Sequence, residues 1–75
     1  MQLNQLNKGD HATILKINAN KILKDRFASF GIMRGEEISV KGYSIGKQTM
    51  EIEAGATLIA LRADEAMKIE VEKRA

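Results

Sequence analysis

The amino-acid sequence predicts a mainly β fold with one helix, in the form of a small SH3-like, partly open barrel of about five short strands. Five short stretches combine β-branched or alternating apolar residues with flanking turn residues, as strands do. One stretch, between the first two of these, has the spacing of an amphipathic helix. Because short strands must protect their edges, we expect the sheet to curl into a barrel whose end the helix closes. The chain has 75 residues and no Cys, which indicates one domain over residues 1–75 without disulfides.

The N-terminal part of the chain contains an anchoring segment and the first strand. Leu3 and Leu6 flank polar residues and precede a turn at residues 8–10. The first strand is predicted over His11–Ile17, which is short and rich in β-branched residues. Its apolar face changes partway along, so we expect a bulge or a sharp bend near Leu15.

The helix is predicted between residues 20 and 30. Asn20 is a residue type that caps helix N-termini, and Gly31 suits the left-handed position that ends a helix. Ile32 follows where such an ending places an apolar contact back on the last turn. The apolar residues that share one helical stripe are Leu23, Phe27 and Phe30.

Four more strands are predicted in the C-terminal half of the chain. They cover Glu37–Gly42, Thr49–Ala54, Thr57–Leu61 and Lys68–Glu72. Because Thr57–Leu61 is apolar on both faces, we expect it to be a central strand. A single helical turn over residues 63–67 is predicted to be capped by Asp64. The residues predicted to form the structural core are Ile14, Leu23, Phe27, Phe30, Ile38, Val40, Ile52, Leu61, Ile69 and Val71.

The net charge of +2 is unevenly distributed along the chain. Residues 11–50 contain seven basic and three acidic side chains, whereas residues 51–75 contain four basic and six acidic ones. This asymmetry allows a basic face that steers a partner onto the domain, although a mixed solvated surface is the commoner outcome of such a pattern. No apolar run approaches the ~20 residues that span a bilayer, and the N-terminus lacks the features of a signal peptide. We therefore expect a cytoplasmic protein that does not insert into a membrane.

Candidate catalytic and metal-binding residues are few. His11 is the only His and the chain has no Cys, which does not meet the ligand needs of a metal site. Glu51 and Glu53 have the spacing of the polar face of an exposed strand, with no neighbour that offers a second catalytic role. The same holds for Glu70 and Glu72. With no Gly-rich phosphate-binding motif either, we predict no catalytic residues, no metal site and no cofactor.

Two alternatives to a protein-docking module remain open. A small barrel with a basic surplus could bind nucleic acid, but proteins that bind single strands stack the bases on exposed aromatic side chains. Phe27 and Phe30 belong to the helix stripe, which leaves only Tyr43 for stacking. We therefore expect no dedicated nucleic-acid interface. A metal-responsive regulatory module is the other alternative.

A set of residues spread over positions 6–71 resembles the FeoA family, the family of ferrous iron transport protein A. The two most specific segments are RFASFGIMRGEEI, at residues 26–38, and IALRADEAMKIEV, at residues 59–71. The matching positions are Leu6, Gly9, Ala12, Ile14, Ile17, Arg26, Phe27, Phe30, Gly31, Ile32, Gly35, Ile38, Gly46, Ile59, Ala60, Leu61, Arg62, Glu65, Ala66, Ile69 and Val71. Their shared order and spacing, rather than either segment alone, carry the resemblance.

The resemblance implies a small cytoplasmic SH3-like domain that supports FeoB, a membrane Fe²⁺ transporter with a cytosolic GTPase domain. It implies binding to that transporter and modulation of it rather than catalysis. Related domains occur at the C-terminus of iron-dependent repressors, where they make protein–protein contacts. We also expect any self-association of this chain to be weak.

Two features depart from the family pattern. Phe27 and Phe30 occupy positions where the family usually has Leu, which keeps the helix stripe apolar. The hairpin region usually reads Gly-x-Pro, whereas Gly46 is followed here by Lys47 and Gln48. The missing Pro affects the expected conformation of the hairpin tip and leaves the expected fold unchanged.

We predict that the partner contacts the exposed side of the helix, the adjacent turn and the hairpin tip. The residues predicted to bind it are Lys21, Lys24, Arg34, Tyr43 and Ile45. The cations would steer association, and Tyr43 with Ile45 forms an apolar pair of the kind found at binding hot spots. Lys21 and Lys24 are equally compatible with an ordinary solvated helix face. Phe27 is expected to act indirectly, by holding the helix in place.

Overall fold

The computed structural model describes residues 1–74, which form an antiparallel sheet with two helices. The strands are β1 (His11–Ile17), β2 (Glu37–Tyr43), β3 (Thr49–Ala54), β4 (Thr57–Arg62) and β5 (Ile69–Arg74). The helices are α1 (Lys21–Ser29) and the single-turn α2 (Ala63–Ala66). Two short 3-10 turns cover Leu3–Gln5 and Ile45–Lys47. The strands are hydrogen-bonded in the order β4-β3-β2-β1-β5.

The sheet is open at one seam. β1 pairs with both β2 and β5, while β3 lies between β2 and β4. No ladder within residues 1–74 joins β4 to β5, so the barrel is only partly closed. The connection from β1 to β2 carries α1. The predicted class, mainly β with one helix between the first two strands, is confirmed.

Two irregularities bend the strands of this sheet. The register between β1 and β5 shifts between Ile14 and Lys16, which leaves Leu15 as an extra residue in β1. A second shift between β2 and β3 lies between Val40 and Gly42. Because a bulge increases the local twist of a strand, these positions help the sheet to curve around its core. The bulge predicted near Leu15 is confirmed.

Local side-chain and backbone chemistry sets both ends of α1. The side-chain oxygen of Asn20 accepts a hydrogen bond from the backbone N–H of Leu23 at 2.8 Å, which caps the N-terminus. At the other end Gly31 has a φ of 86°, in the left-handed region that favours glycine. The N–H of Ile32 then donates to the carbonyl of Phe27 at 2.9 Å, the bond that defines a Schellman ending. Both predicted caps are confirmed.

The buried side chains form one apolar cluster with members from every strand, from α1 and from the N-terminal segment. Of the predicted core residues, the structure buries Ile14, Phe27, Ile38, Val40, Ile52, Leu61, Ile69 and Val71. Leu23 packs against this cluster from a partly buried position. Leu3 and Leu6 are also buried, and Met1 exchanges backbone hydrogen bonds with Val71 of β5. The N-terminal segment is therefore anchored to the barrel.

The predicted core position of Phe30 is wrong, since this side chain is 43% exposed. Phe30 is the C-terminal cap of α1, and its backbone has already left the helical conformation. The Schellman ending reverses the chain at Gly31, so that Ile32 is the residue that turns back into the core. Phe27 therefore packs inside while Phe30 faces solvent.

The predicted central position of the fourth strand is also wrong. β4 pairs only with β3 and lies at the edge of the sheet. Ile59 and Leu61 point into the core, whereas Leu58 is 58% exposed on the other face. The prediction of a central strand took the apolar Leu58 as a sign that both faces of the strand are buried. Only the face that carries Ile59 and Leu61 is covered, and single exposed apolar residues are common on protein surfaces.

The predicted cap of the single turn α2 is wrong as well. α2 begins at Ala63, which places Asp64 inside the first turn rather than before it. The carboxylate of Glu65 accepts a hydrogen bond from the backbone N–H of Arg62 at 3.1 Å instead. The same carboxylate binds the guanidinium of Arg26, so this residue links α2 to α1. A carboxylate three residues into a helix can cap it as an N-cap side chain does.

Candidate functional site

The residues predicted to bind a partner lie near opposite ends of β2. Arg34 lies in the turn before the strand, whereas Tyr43 ends it and Ile45 follows. A strand of this length spans about 20 Å at the usual rise per residue. The structure therefore separates the predicted residues into two groups rather than one contact patch.

The first group lines a groove beside the end of β1. Lys24 projects from α1 and Arg34 from the turn between α1 and β2, and both border the same open space. The opposite wall is the end of β1. The cavity has a volume of about 540 Å³ and is lined by Leu15, Lys16, Ile17, Lys24 and Arg34. We call it the β1–α1 groove.

The basic side chains of the β1–α1 groove have no ionic partner within residues 1–74. The five ion pairs of these residues are Lys21–Asp25, Arg26–Glu65, Lys41–Glu53, Lys73–Asp10 and Arg74–Glu37. None of them includes Lys16, Lys24 or Arg34. No carboxylate lines the groove either. Three basic residues thus border one open space, and none of them forms an ion pair within residues 1–74.

Lys21 stands apart from this groove. Its ammonium group lies 2.7 Å from the carboxylate of Asp25, one helical turn further along α1. Both side chains are well exposed, so this pair contributes little to stability. It does partly neutralise Lys21, which makes Lys24 the stronger candidate on this helix for binding an acidic partner.

Tyr43 is a structural residue as much as a surface one. Its O–H donates to the carbonyl of Leu6 and lies 3.4 Å from the carbonyl of Asn4. The ammonium group of Lys47 lies 5.1 Å from the centre of the ring, within range of a cation–π interaction. Burial raises the pKa of the Tyr43 hydroxyl, and the nearby negative charge of Asp10 raises it further. The side chain thus ties the N-terminal segment to the hairpin.

Ile45 has a different environment at the tip of the same hairpin. Its side chain is fully exposed. The tip turns sharply, with a φ of 79° at Gly46 and 57° at Lys47. A non-glycine residue with positive φ is uncommon, and this turn forms without the Pro that the family pattern contains. An apolar side chain held in solvent by a tight turn is available to a partner.

Sequence reasoning missed three residues of the β1–α1 groove, namely Leu15, Lys16 and Ile17. The signal that could have found them was the predicted bulge, because it shifts the alternation of β1, so that Lys16 faces outward after Leu15 and Ile17 turns toward the core. It also missed a second depression of about 360 Å³ against the edge strand. Phe30 and Leu58 line that depression together with Arg26.

The described residues offer little for catalysis or metal binding. Within residues 1–74 no group of three His, Cys, Asp or Glu side chains is close enough to hold a metal ion. His11 is exposed at the start of β1, and the carboxylate of Glu53 pairs with Lys41 at 3.3 Å. None of the helices in this part of the chain is long and apolar enough to cross a membrane.

Comparison with known proteins places this geometry in a family. Residues 1–73 match the family model described as the FeoA domain. The chain is 38% identical over 71 residues to a Campylobacter jejuni protein named "Putative Fe(2+) transport protein A", covering 95% of this chain and 96% of that protein.

Solved structures agree with this match. FeoA from Chlorobium tepidum superposes with a TM-score of 0.94 at 27% identity and covers 100% of this chain and 71% of its own. FeoA from Stenotrophomonas maltophilia, solved with zinc and described as a procaryotic SH3 domain protein, has a TM-score of 0.83 at 26% identity. That match covers 96% of this chain and 89% of the other. The SH3-like fold is thereby confirmed, and the chain belongs to the FeoA family of small proteins related to ferrous iron transport.

Proposed function

We propose that this protein binds the cytosolic side of a GTPase-coupled Fe²⁺ transporter of the FeoB type and modulates it, without catalysis of its own. Membership in a ferrous iron transport family supports the proposal. The observation that carries it is the β1–α1 groove, where Lys16, Lys24 and Arg34 are exposed and have no ionic partner among residues 1–74. Unneutralised charge beside exposed apolar side chains is the pattern of a surface that docks a protein.

The side chains that line the β1–α1 groove fit a role in binding better than a role in catalysis. A catalytic site needs a nucleophile or an acid–base pair held in mutual contact inside a cleft. The groove holds only cations and aliphatic side chains. The function proposed for this surface is therefore to bring the domain to the transporter and to change the rate of GTP hydrolysis there.

The first test is capture of the transporter. A tagged form of the chain is incubated with detergent-solubilised membranes of its own source, and the bound proteins are identified by mass spectrometry. An unrelated tagged SH3 domain of similar size serves as the control. We expect the GTPase-coupled Fe²⁺ transporter to be recovered with this chain and not with the control. Recovery of a nucleic acid or of an unrelated protein in its place would overturn the proposal.

A second measurement tests modulation. The purified transporter hydrolyses GTP in the presence of increasing amounts of the chain, and the rate is compared with that in the presence of the control SH3 domain. We expect a saturable change in the rate. An unchanged rate despite demonstrated binding would contradict modulation and leave only docking.

A further inference from the structure

We infer that the β1–α1 groove binds an extended acidic segment of a partner protein, which places an apolar side chain against Leu15 and Ile17. The inference depends on the proposed function at one point, because it takes the transporter to be the protein that carries this segment. The groove itself is defined by residues of this chain. Backbone geometry, apolar surface and charge each support this occupant.

The backbone beside the groove has an open edge. β1 pairs with β2 only as far as Thr13, opposite Glu37. Ile14 then exchanges backbone hydrogen bonds of 2.8 Å with Gly35 and Glu36 in the turn. No strand within residues 1–74 pairs with the following residues 15–17 on the side away from β5. An extended segment can add to such an edge as a further strand.

Leu15 and Ile17 supply the apolar floor of the groove. Leu15 follows the buried Ile14 and lies on the opposite face of β1, where its side chain is 46% exposed. Ile17 is half-buried and packs against the core from the same wall. The two side chains form a small apolar surface beside the open edge. A partner side chain that covers this surface would remove it from water.

The positive charges around this floor favour a negatively charged partner segment. Lys16, Lys24 and Arg34 surround it from three separate elements of the chain. Glu70 lies opposite Lys16 in the ladder between β1 and β5, but the two form no ion pair. A segment with carboxylates on either side of one apolar residue would complement this arrangement.

The aromatic residues favour a peptide over a nucleic acid in this groove. Phosphates could also bind three cations, but bases need exposed aromatic side chains for stacking. Phe27 is fully buried, and Phe30 lines the depression at the β4 edge rather than this groove. Tyr43 is the last residue of β2, at the end away from the groove, and is hydrogen-bonded to the N-terminal segment. Aliphatic side chains beside an open strand edge suit a peptide.

The test is a titration of the isotopically labelled full chain, followed by nuclear magnetic resonance. The probe is an octapeptide that alternates glutamate and leucine. One control probe replaces its glutamates by lysines, and another replaces its leucines by serines. We expect the acidic apolar probe to shift the amide signals of residues 15–17, Lys24 and Arg34 in a saturable manner. The lysine probe should leave them unchanged, and the serine probe should bind more weakly.

Two double variants with the same change in net charge distinguish binding by the groove cations from attraction by the net charge of the protein. Lys24→Glu with Arg34→Glu reverses two cations that line the groove. Lys8→Glu with Lys47→Glu reverses two exposed cations that do not line it. We expect the first pair to weaken probe binding by at least about tenfold and the second pair by no more than about twofold. The labelled spectra also show whether each variant is folded.

Leu15→Ser tests the apolar floor. Since Leu15 is an exposed bulge residue, the variant should remain folded. We expect it to bind the glutamate–leucine probe about threefold to tenfold more weakly, because a small pocket contact is lost. Binding of the glutamate–serine probe should not change, since that probe has no apolar side chain to place there.

Three results would overturn the inference. If the amide signals that shift belong to residues at the β4 edge, the peptide binds there and not in the groove. If both charge-reversed variants weaken peptide binding equally, the binding depends on net charge alone. Tighter binding of a short oligothymidylate than of the peptide would assign the groove to nucleic acid. Failure of the proposed function is distinct, because the wild-type chain would then capture no transporter even though the peptide still binds the groove.

Discussion

The regions at the two ends of β2 use their polar side chains differently. At one end, the hydroxyl of Tyr43 is hydrogen-bonded to the N-terminal segment, and the ammonium group of Lys47 lies over its ring. Near the other end, Lys24 and Arg34 have no ionic partner within residues 1–74 and face a groove with exposed Leu15. The hydrogen bonds of the Tyr43 region stabilise the fold, whereas the groove is the surface that we propose as the binding site for a partner. Substitutions at the two regions should therefore differ in which property they change.

The largest expected effect concerns the helix that carries one wall of the groove. Phe27 is the one side chain of α1 that is fully buried. We expect Phe27→Ala to lower the free energy of unfolding by about 3–5 kcal/mol, because the substitution leaves a cavity. A domain of this size typically has about that much stability, so the variant should be largely unfolded. Urea denaturation followed by circular dichroism measures the difference.

Phe30→Ala is the matched control for that substitution. Phe30 is 43% exposed at the end of the same helix, so we expect a loss of less than about 1 kcal/mol. Equal losses for the two variants would contradict the assignment of Phe27 to the core and Phe30 to the surface.

Charge reversal on α1 should affect binding instead of stability. We expect Lys24→Glu to slow association with the transporter by about threefold to tenfold at low ionic strength, and less at high salt. Lys21→Glu should have a smaller effect, because Lys21 already faces Asp25 and does not line the groove. Surface plasmon resonance at two salt concentrations measures both rates. A larger effect of Lys21→Glu would shift the docking surface along the helix.

Removal of the Tyr43 hydroxyl should affect stability instead of binding. Tyr43→Phe leaves the carbonyl of Leu6 without this donor, and we expect a loss of about 1 kcal/mol in the free energy of unfolding at neutral pH. Peptide binding in the β1–α1 groove should be unchanged. Thermal unfolding and the peptide titration give the two values. A variant of full stability with weakened peptide binding would reverse the roles assigned to the two regions.

The pH dependence of stability tests the same hydroxyl without a substitution. Burial, and then Asp10, raise the pKa of Tyr43 in the folded protein above its ordinary value of 10.0. The folded state therefore retains its proton more strongly than the unfolded state. Its contribution to stability is complete below about pH 10 and is lost as the pH rises through the raised pKa. Urea midpoints measured above pH 9 should fall more steeply for the wild type than for Tyr43→Phe.

The smallest expected effect on stability concerns the hairpin tip. Ile45 is fully exposed, so Ile45→Ser should change the free energy of unfolding by no more than about 0.5 kcal/mol. The same variant tests whether the hairpin is a second contact for the transporter. A loss of transporter capture at full stability would assign a contact to this tip, whereas unchanged capture would restrict docking to the groove.

Local patterns predicted much of this molecule before its tertiary structure. Asn20 and Gly31 end α1 where expected, since a cap depends on atoms within a few residues of the helix end. The bulge at Leu15 followed from a change of apolar face within one strand. The exposure of Phe30 did not follow, because its stripe position is apolar and only the turn after it directs Ile32 to the core instead.

The sequence by itself determined the strands, the helix with its caps, most of the core and the family, because these depend on short-range periodicity and on the order of residues. Only the tertiary structure placed β4 at the edge of the sheet and brought Lys24, Arg34 and the bulge at Leu15 around one groove. The groove residues come from three consecutive elements, namely β1, α1 and the turn before β2. Their proximity results from the burial of one shared core, which no local pattern encodes.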